Sequence, residues 1–370
     1  MKKLYLSFFT VAFSLLSAQL KAQNSISQLI RSGPGDASKL AQAYSEPLFK
    51  GFGATLNSGW YSTAKGKDPL EFELKLVGSA VFTPDDYKTF DVTKIGLSNN
   101  VRPATSQTLT PTLVGNNLPG AVMNVYDNNG NRVDQFTMPR RQLAVTPLPL
   151  LQASLGILGH TEITLRGFPE INMGKTAGSI YMIGGGFKHD IMQDFMGKRF
   201  ETQIPFHLAV AFGYTHLYYS VPVTVSPQAG ATPTNSYQSS NFYNQHIGSR
   251  FNGYNAQVII SKKFSVFVPF AAVGYNSSTS KAALIGNYPV TTGINNIIEQ
   301  QPTYTTFSTP VNISETSING PRVDAGFQVE LGAFRFYASG STFKYSNGSD
   351  LPKRGTTWAQ SVATGFGIDF

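Results

Sequence analysis

Few side chains in this chain are of a type and spacing that could do chemistry. The five histidines are His160, His189, His207, His216 and His246. None lies in an HExxH pattern or forms a close metal-ligand pair, so neither a metal nor a cofactor is expected. His207 and His216 are nine residues apart, which puts them on opposite faces of one regular strand. Cysteine is absent, which excludes disulfides, a thiol nucleophile, a thiolate metal site and a lipoprotein anchor. Gly184-Gly185-Gly186 opens no helix, so it reads as a strand bend or a point of close packing rather than a phosphate loop. A serine and a histidine on neighbouring strands could still assemble a hydrolase. That is the remotest reading, and the chain is not expected to be an enzyme.

The other chemistry-bearing residues fall at a spacing of two. Glu71, Glu73 and Lys75 alternate with Leu70, Phe72, Leu74 and Leu76. Glu162 and Arg166 alternate with Thr161, Ile163 and Leu165, and Asp324, Gln328 and Glu330 with Val323, Phe327, Val329 and Leu331. Period two means strands with one polar and one apolar face. If the strands close into a barrel, these eight polar residues face the lumen. They would then line a polar or gated solute path, or pair with one another across strands in a solvated interior. In a secreted β-sandwich, the alternative fold, they would face water.

Other segments share the pattern. Phe206 to Tyr218, Tyr254 to Ile260, Ser265 to Tyr275, Phe334 to Tyr345 and Ser179 to Lys188 are strand candidates. Several reach about ten residues, the length of a tilted membrane-crossing strand. The stretch Gln152 to Phe168 keeps its phase across Gly156 and Gly159. It reads as one strand, with a turn at Gly159-His160 as the alternative. One strand gives a clear count of ten and a turn gives eleven, with weaker segments raising the total to 12 or 14. At the end of the chain, Trp358, Val362, Phe366, Ile368 and Phe370 share the apolar parity. Phe366, Ile368 and Phe370 form the aromatic ending expected to engage the barrel-assembly machinery.

Composition agrees with an exported barrel. Charged residues are 14% and aromatics 12% of the chain; soluble domains carry about 25% charged residues. Lys2 and Lys3 followed by Leu4 to Leu16 form a secretory leader, with cleavage expected after Ala22. Loss of Lys2, Lys3 and Lys21 lowers the formal charge from +8 to +5. That small excess is unclustered, so no nucleic-acid partner is expected. Tyr61, Tyr214, Tyr218, Tyr219, Tyr275, Tyr337 and Tyr345, with Trp60 and Trp358, lie near expected strand ends, as a membrane-interface belt would.

Residues 24–50 are the helical part. Ile26, Leu29 and Ile30 share a face before Gly33-Pro34-Gly35 breaks the pattern. Asp36 reads as the N-cap of a second helix, with Ala37, Leu40, Ala41 and Tyr44 on one face and Pro47 as its stop. This segment is expected to sit in the lumen as a plug, from Gly51 onward the period is two, and 83–150 is a long insertion. The insertion carries a small hairpin, Val122–Tyr126 and Val133–Thr137, around Asp127-Asn128-Asn129-Gly130. Connections are unequal: Lys262-Lys263 and Gly332-Ala333 are short, whereas 221–251 and 276–320 are long.

The run DASKLAQAYSEPLFKGFGATLNSGWYSTAK, residues 36–65, resembles the start of an uncharacterised family of exported barrels from Bacteroidota-type bacteria. So do LPLLQASLGILGHTEITLRGFP, residues 148–169, and GGGFKHD, residues 184–190. More distantly, an N-terminal plug before long strands is similar to FadL-type long-chain fatty-acid transporters. That likeness implies a luminal hatch and carriage of hydrophobic solutes. The expectation is an all-β transmembrane antiparallel barrel of 10–14 strands with a helical plug. It would sit in outer-membrane lipid and pass small hydrophobic molecules, or else serve as an envelope scaffold.

Overall fold

The computed structural model describes residues 28–174, 178–196, 206–295, 301–345 and 351–370. The expected leader and Ile26 lie outside these residues. Ten antiparallel strands close into a barrel. They are β1 (Phe72–Phe82), β2 (Thr146–Ile157), β3 (Thr161–Asn172), β4 (Ser179–Asp190) and β5 (His207–Pro222). Next come β6 (His246–Ser261), β7 (Phe267–Ile285), β8 (Asn312–Leu331), β9 (Phe334–Lys344) and β10 (Trp358–Asp369). β10 closes on β1 in the register Glu73↔Asp369 to Phe82↔Gln360.

Alternation sets which side chains face out. Leu74, Ile163, Phe212, Val323 and Val362 are exposed on the outer wall, while their sequence neighbours are buried inside. Outward aromatics pair across strands, as Phe336 does with Phe366 at 5.0 Å and Phe267 with Phe327 at 5.4 Å between ring centroids. A continuous exposed apolar wall of this kind suits lipid rather than water.

Several expectations are corrected. Gln152 to Phe168 is a hairpin: Gly159 and His160 both take positive φ (69° and 53°), and Ile157 pairs with Thr161. Those partners are four residues apart, so the outward parity passes through the turn unchanged, and alternation alone cannot detect it. Pro47 does not end the helix, which runs as α1 from Pro34 to Leu56. Nor is Asp36 its N-cap: Gly33 holds that place, and the Asp36 carboxylate accepts from Ser98 N and Oγ at 2.9 and 2.5 Å. Gly51 to Leu56 is therefore helical, and 57–71 is irregular chain that passes through the lumen and emerges at the rim, where Asp68 to Leu70 are exposed. Trp60, Tyr61, Tyr337 and Tyr345 are buried in the lumen, not placed at a membrane interface. Trp358 and Tyr275 do face outward.

The connections 158–160, 262–266 and 332–333 gather at one rim, where β1 begins and β10 ends. Long loops occupy the other rim. There the insertion after β1 forms two small sheets, one pairing Thr89–Asp91 with Leu109–Pro111. The other joins Val101–Pro103, Val122–Tyr126 and Arg132–Thr137. Phe90, Val92, Met123 and Phe136 of this insertion share one apolar cluster with Leu40 and Tyr44 of α1. Leu113 N donates to the Tyr44 carbonyl at 2.9 Å, and the Tyr44 hydroxyl to the Arg140 carbonyl at 2.7 Å. The insertion thus covers the long-loop mouth.

Candidate functional site in the barrel lumen

Helix α1 descends through the lumen from the long-loop rim. Near its start, the Ser38 hydroxyl donates to the Pro34 and Pro310 carbonyls at 2.9 and 3.4 Å. Midway, Glu46 pairs with Arg354 at 3.1 Å, Lys50 Nζ donates to the Ser317 carbonyl at 3.0 Å, and the Tyr345 hydroxyl donates to the Pro47 carbonyl at 2.8 Å. Proline interrupts the helical hydrogen-bond ladder. Contacts with the wall on both sides of Pro47 hold α1 together there.

The C-terminus of α1 ends in mid-barrel, where its last carbonyls need donors. Arg166 of β3 supplies them, donating to the Leu56 and Ser58 carbonyls at 3.0 and 3.2 Å and to Gln152 Oε1 at 2.9 Å. Its guanidinium also stacks 3.7 Å from the Trp60 ring centroid. Arg322 of β8 reaches Ser58 Oγ at 3.2 Å and pairs with Asp324 at 2.7 Å. Glycines make room for this packing: a Cβ on Gly186 would lie 2.8 Å from Trp60 Cζ3, and one on Gly213 would overlap the indole. Close packing, not a phosphate loop, thus explains at least Gly186 of the glycine run.

Below this belt a polar cleft of about 430 Å³ opens at the short-turn rim. Glu71, Glu73, Lys75, Glu162, Gln328 and Glu330 all line it, whereas Arg166 and Asp324 belong to the belt above. Glu73, Lys75, Glu162 and Gln328 are buried, and Glu71 and Glu330 are half-buried at the rim. Ion pairs knit the cleft together: Glu162–Lys188 at 2.9 Å, Glu330–Lys263 at 2.5 Å and Asp369–Arg335 at 2.7 Å. Lys67 is its hub, lying 3.0 Å from Asp369, 3.4 Å from Glu73 and 3.5 Å from Glu71. Burial opposes the charge of Lys67, but Glu73, Glu162, Asp369 and Glu71 outweigh it and raise its pKa. Sequence periodicity misses Lys67, Lys188 and Arg335: Lys67 lies on irregular chain, and the other two carry no pattern beyond strand parity.

A serine and a histidine do meet here. His207 Nδ1 lies 2.6 Å from Asp190 Oδ2, and Ser261 is the cross-strand neighbour of His207. The Ser261 hydroxyl is instead engaged by Ala64 N at 2.8 Å and Thr63 Oγ1 at 3.1 Å. Among the described residues no hydrogen bond joins Ser261 to His207.

The long-loop half of the lumen has the opposite chemistry. An apolar cavity of about 150 Å³ lies between α1 and the wall of β5 to β8. Leu48, Phe49 and Phe52 line its helix side, and Phe251, Ala282 and Leu284 its wall side. Of the residues expected to form the plug, Tyr44 lines this cavity, Leu40 is buried beside it in the same cluster, and Asp36 is tied to Ser98 at the rim. The cluster continues through Met182, Phe168 and Ile180 to Leu148 and Leu150. There the wall has a seam. β2 pairs with β1 from Thr146 to Leu155, but with β3 only from Gln152 to Ile157. Among the described residues, Thr146 to Leu151 have no strand partner on the β3 side. Pro147 and Pro149 lie on this stretch and lack the N–H donors a partner strand would need. Opposite them β3 bends, with a register shift against β4 between Phe168 and Ile171.

A model of the family of unknown function DUF6588 matches residues 1–349. The chain belongs to that family. No curated protein matches the sequence. Among solved structures, the outer membrane protease OmpT of Escherichia coli aligns at 9% identity over 85% of this chain and 100% of its own, with a TM-score of 0.32. The outer membrane transporter YddB of Escherichia coli aligns at 10% identity over 79% of this chain and 41% of its own, with a TM-score of 0.30. The translocator domain of the autotransporter NalP of Neisseria meningitidis aligns at 9% over 81% and 87%, with a TM-score of 0.26. These distant likenesses assign no activity to this chain.

Proposed function

We propose that this chain is an outer-membrane barrel that takes up a small apolar molecule at its long-loop end and releases it sideways into lipid. The apolar cavity beside α1 carries this reading, because it is an apolar recess at the opposite end of the lumen from the charged cleft. A void of this order lined by aliphatic and aromatic side chains admits a molecule of about benzene size. The unpaired edge of β2 offers the exit, since the same apolar cluster runs from the cavity to Leu148 and Leu150 beside it. Straight passage along the axis is barred by α1 and the arginine belt.

Binding tests this directly. Fluorobenzene added to the protein in nanodiscs should give a protein-dependent fluorine resonance that Ala282→Trp removes. If empty nanodiscs give the same spectrum as loaded ones, the cavity does not bind.

A second reading is an envelope docking barrel. It is favoured by the insertion, which buries its own core and covers the mouth. Recovery of a stable envelope partner through residues 83–145, with uptake of apolar molecules unchanged in a knockout, would select it.

A further inference from the structure

We propose that Arg250 and Lys281, side by side on the outer wall, bind the phosphate of an anionic lipid headgroup. Arg250 of β6 and Lys281 of β7 are direct cross-strand partners, and both are exposed. Like charges placed directly opposite each other destabilise a strand pair. Tyr218 of β5 stands on the other side of Arg250, with its ring centroid 5.9 Å from the guanidinium. Among the described residues neither cation has a carboxylate partner. Their own strands and loops supply none: from His207 to Ser314 the sequence holds one acidic residue, Glu299, which lies outside the described residues. Glu315 follows, but it stands in register with Ser280, which is buried on the luminal side. An anion shared by Arg250 and Lys281 would replace their repulsion with two attractions.

The height of the pair on the wall points to what carries that anion. Val210, Val258, Val273 and Val323 form one exposed row across β5 to β8. Nearer the long-loop rim, Tyr214 and Tyr254 stack at 4.9 Å between ring centroids, and the Tyr214 hydroxyl donates to Asn252 Oδ1 at 3.0 Å. Outward tyrosines with their hydroxyls in polar company mark the edge of the hydrocarbon layer. Beyond them the outward positions turn polar, with Asn252 and Thr279 in one row and Arg250 and Lys281 in the next. Four residues separate Tyr254 from Arg250, about 13 Å along the strand and about 10 Å along the barrel axis at the usual tilt. That is headgroup depth, where phosphates are the fixed anions. A planar guanidinium beside an ammonium suits a phosphomonoester, which carries up to two negative charges. The site rests on the outer-membrane reading, which puts the long-loop rim in the outer leaflet. It does not rest on uptake through the apolar cavity.

The test uses the folded full chain in dodecyl maltoside micelles, with dioleoyl phosphatidic acid and dioleoyl phosphatidylcholine as probes and native mass spectrometry as readout. The wild type should hold phosphatidic acid about tenfold or more tighter than phosphatidylcholine. Arg250→Gln and Lys281→Gln should each remove most of that preference, whereas Lys94→Gln, at an exposed lysine of the insertion, should keep it. Lys281→Glu should abolish the preference and, without lipid, unfold at a higher midpoint, because it turns a like-charged pair into an ion pair. The proposal is overturned if the wild type holds both lipids equally, or if the double variant Arg250→Gln with Lys281→Gln still prefers phosphatidic acid. Equal weakening by Lys94→Gln would also overturn it, since overall charge would then account for binding. So would release of phosphatidic acid by an equal concentration of inorganic phosphate, which would make this a site for the free ion. A lower lipid-free midpoint for Lys281→Glu would remove its premise, the repulsion between the two cations.

Discussion

Arg166 Nη1 donates to the Leu56 carbonyl at 3.0 Å, so a side chain of β3 caps the helix that fills the barrel. The cap joins the two halves of the molecule. Above it lie α1 and the apolar cavity, and below it lies the charged cleft. A guanidinium suits the place because its planar fork serves several acceptors while stacking on Trp60.

Replacement of Arg166 by methionine should therefore cost more than a lost surface contact. The carbonyls of Leu56 and Ser58 would lose this buried donor, a penalty of about 2–4 kcal/mol. Urea unfolding of the detergent-folded barrel measures it. Arg166→Lys should recover only part of the loss, because an ammonium lacks the fork and the stacking plane.

The pairing of Glu46 with Arg354 fixes the middle of α1 to the loop before β10. Arg354→Met should destabilise the barrel by about 2 kcal/mol, since it takes the guanidinium from a buried carboxylate that keeps Lys50 3.6 Å away. The double variant Glu46→Gln with Arg354→Met should be less damaged than the two single effects combined. Equal additivity would mean that the pair does not act as a unit.

Lys67 gives a pH dependence. Its folded-state pKa is raised by the carboxylates around it, so its contribution is complete below the ordinary lysine value of about 10.4. That contribution fades as pH rises through the higher folded-state value. The stability gap between wild type and Lys67→Met should hold constant from about pH 6 to about pH 9 and shrink above about pH 10.5. A gap that grows with alkali would contradict the ion-pair hub.

Orientation can be read by labelling, because the chain has no native cysteine. In outer-membrane barrels the short turns face the periplasm. Tyr237→Cys, 95% exposed on a long loop, should react with an impermeant maleimide on intact cells. Leu158→Cys, 83% exposed at a short turn, should react only after the envelope is opened. The same result would place the start of α1 at the outer face, since the helix enters from the long-loop rim.

The barrel was legible because an outward apolar face and an inward polar face repeat every two residues, as in β1 and β10. That parity also found Glu73, Lys75, Glu162 and Arg166. It failed where the chain leaves the strand pattern. Pro47 reads locally as a helix stop, and contacts of Glu46, Lys50 and Tyr345 with chain far away in sequence brace the helix on both sides of it. The Gly159-His160 turn preserves parity and so hides itself. Lys67 and Trp60 lie on irregular chain, where their roles depend on strands far away in sequence. The seam beside β2 left a trace in Pro147 and Pro149, which break the donor pattern of a strand that periodicity alone treats as ordinary.

Uptake of an apolar molecule is the most direct measurement of the account. Cells lacking this protein should accumulate fluorobenzene slowly, and the wild-type chain should restore accumulation severalfold. Ala282→Trp, which fills the cavity beside α1, should fold and yet leave the rate at the knockout level. A wild-type rate no faster than the knockout, or full uptake by a folded Ala282→Trp barrel, would contradict it.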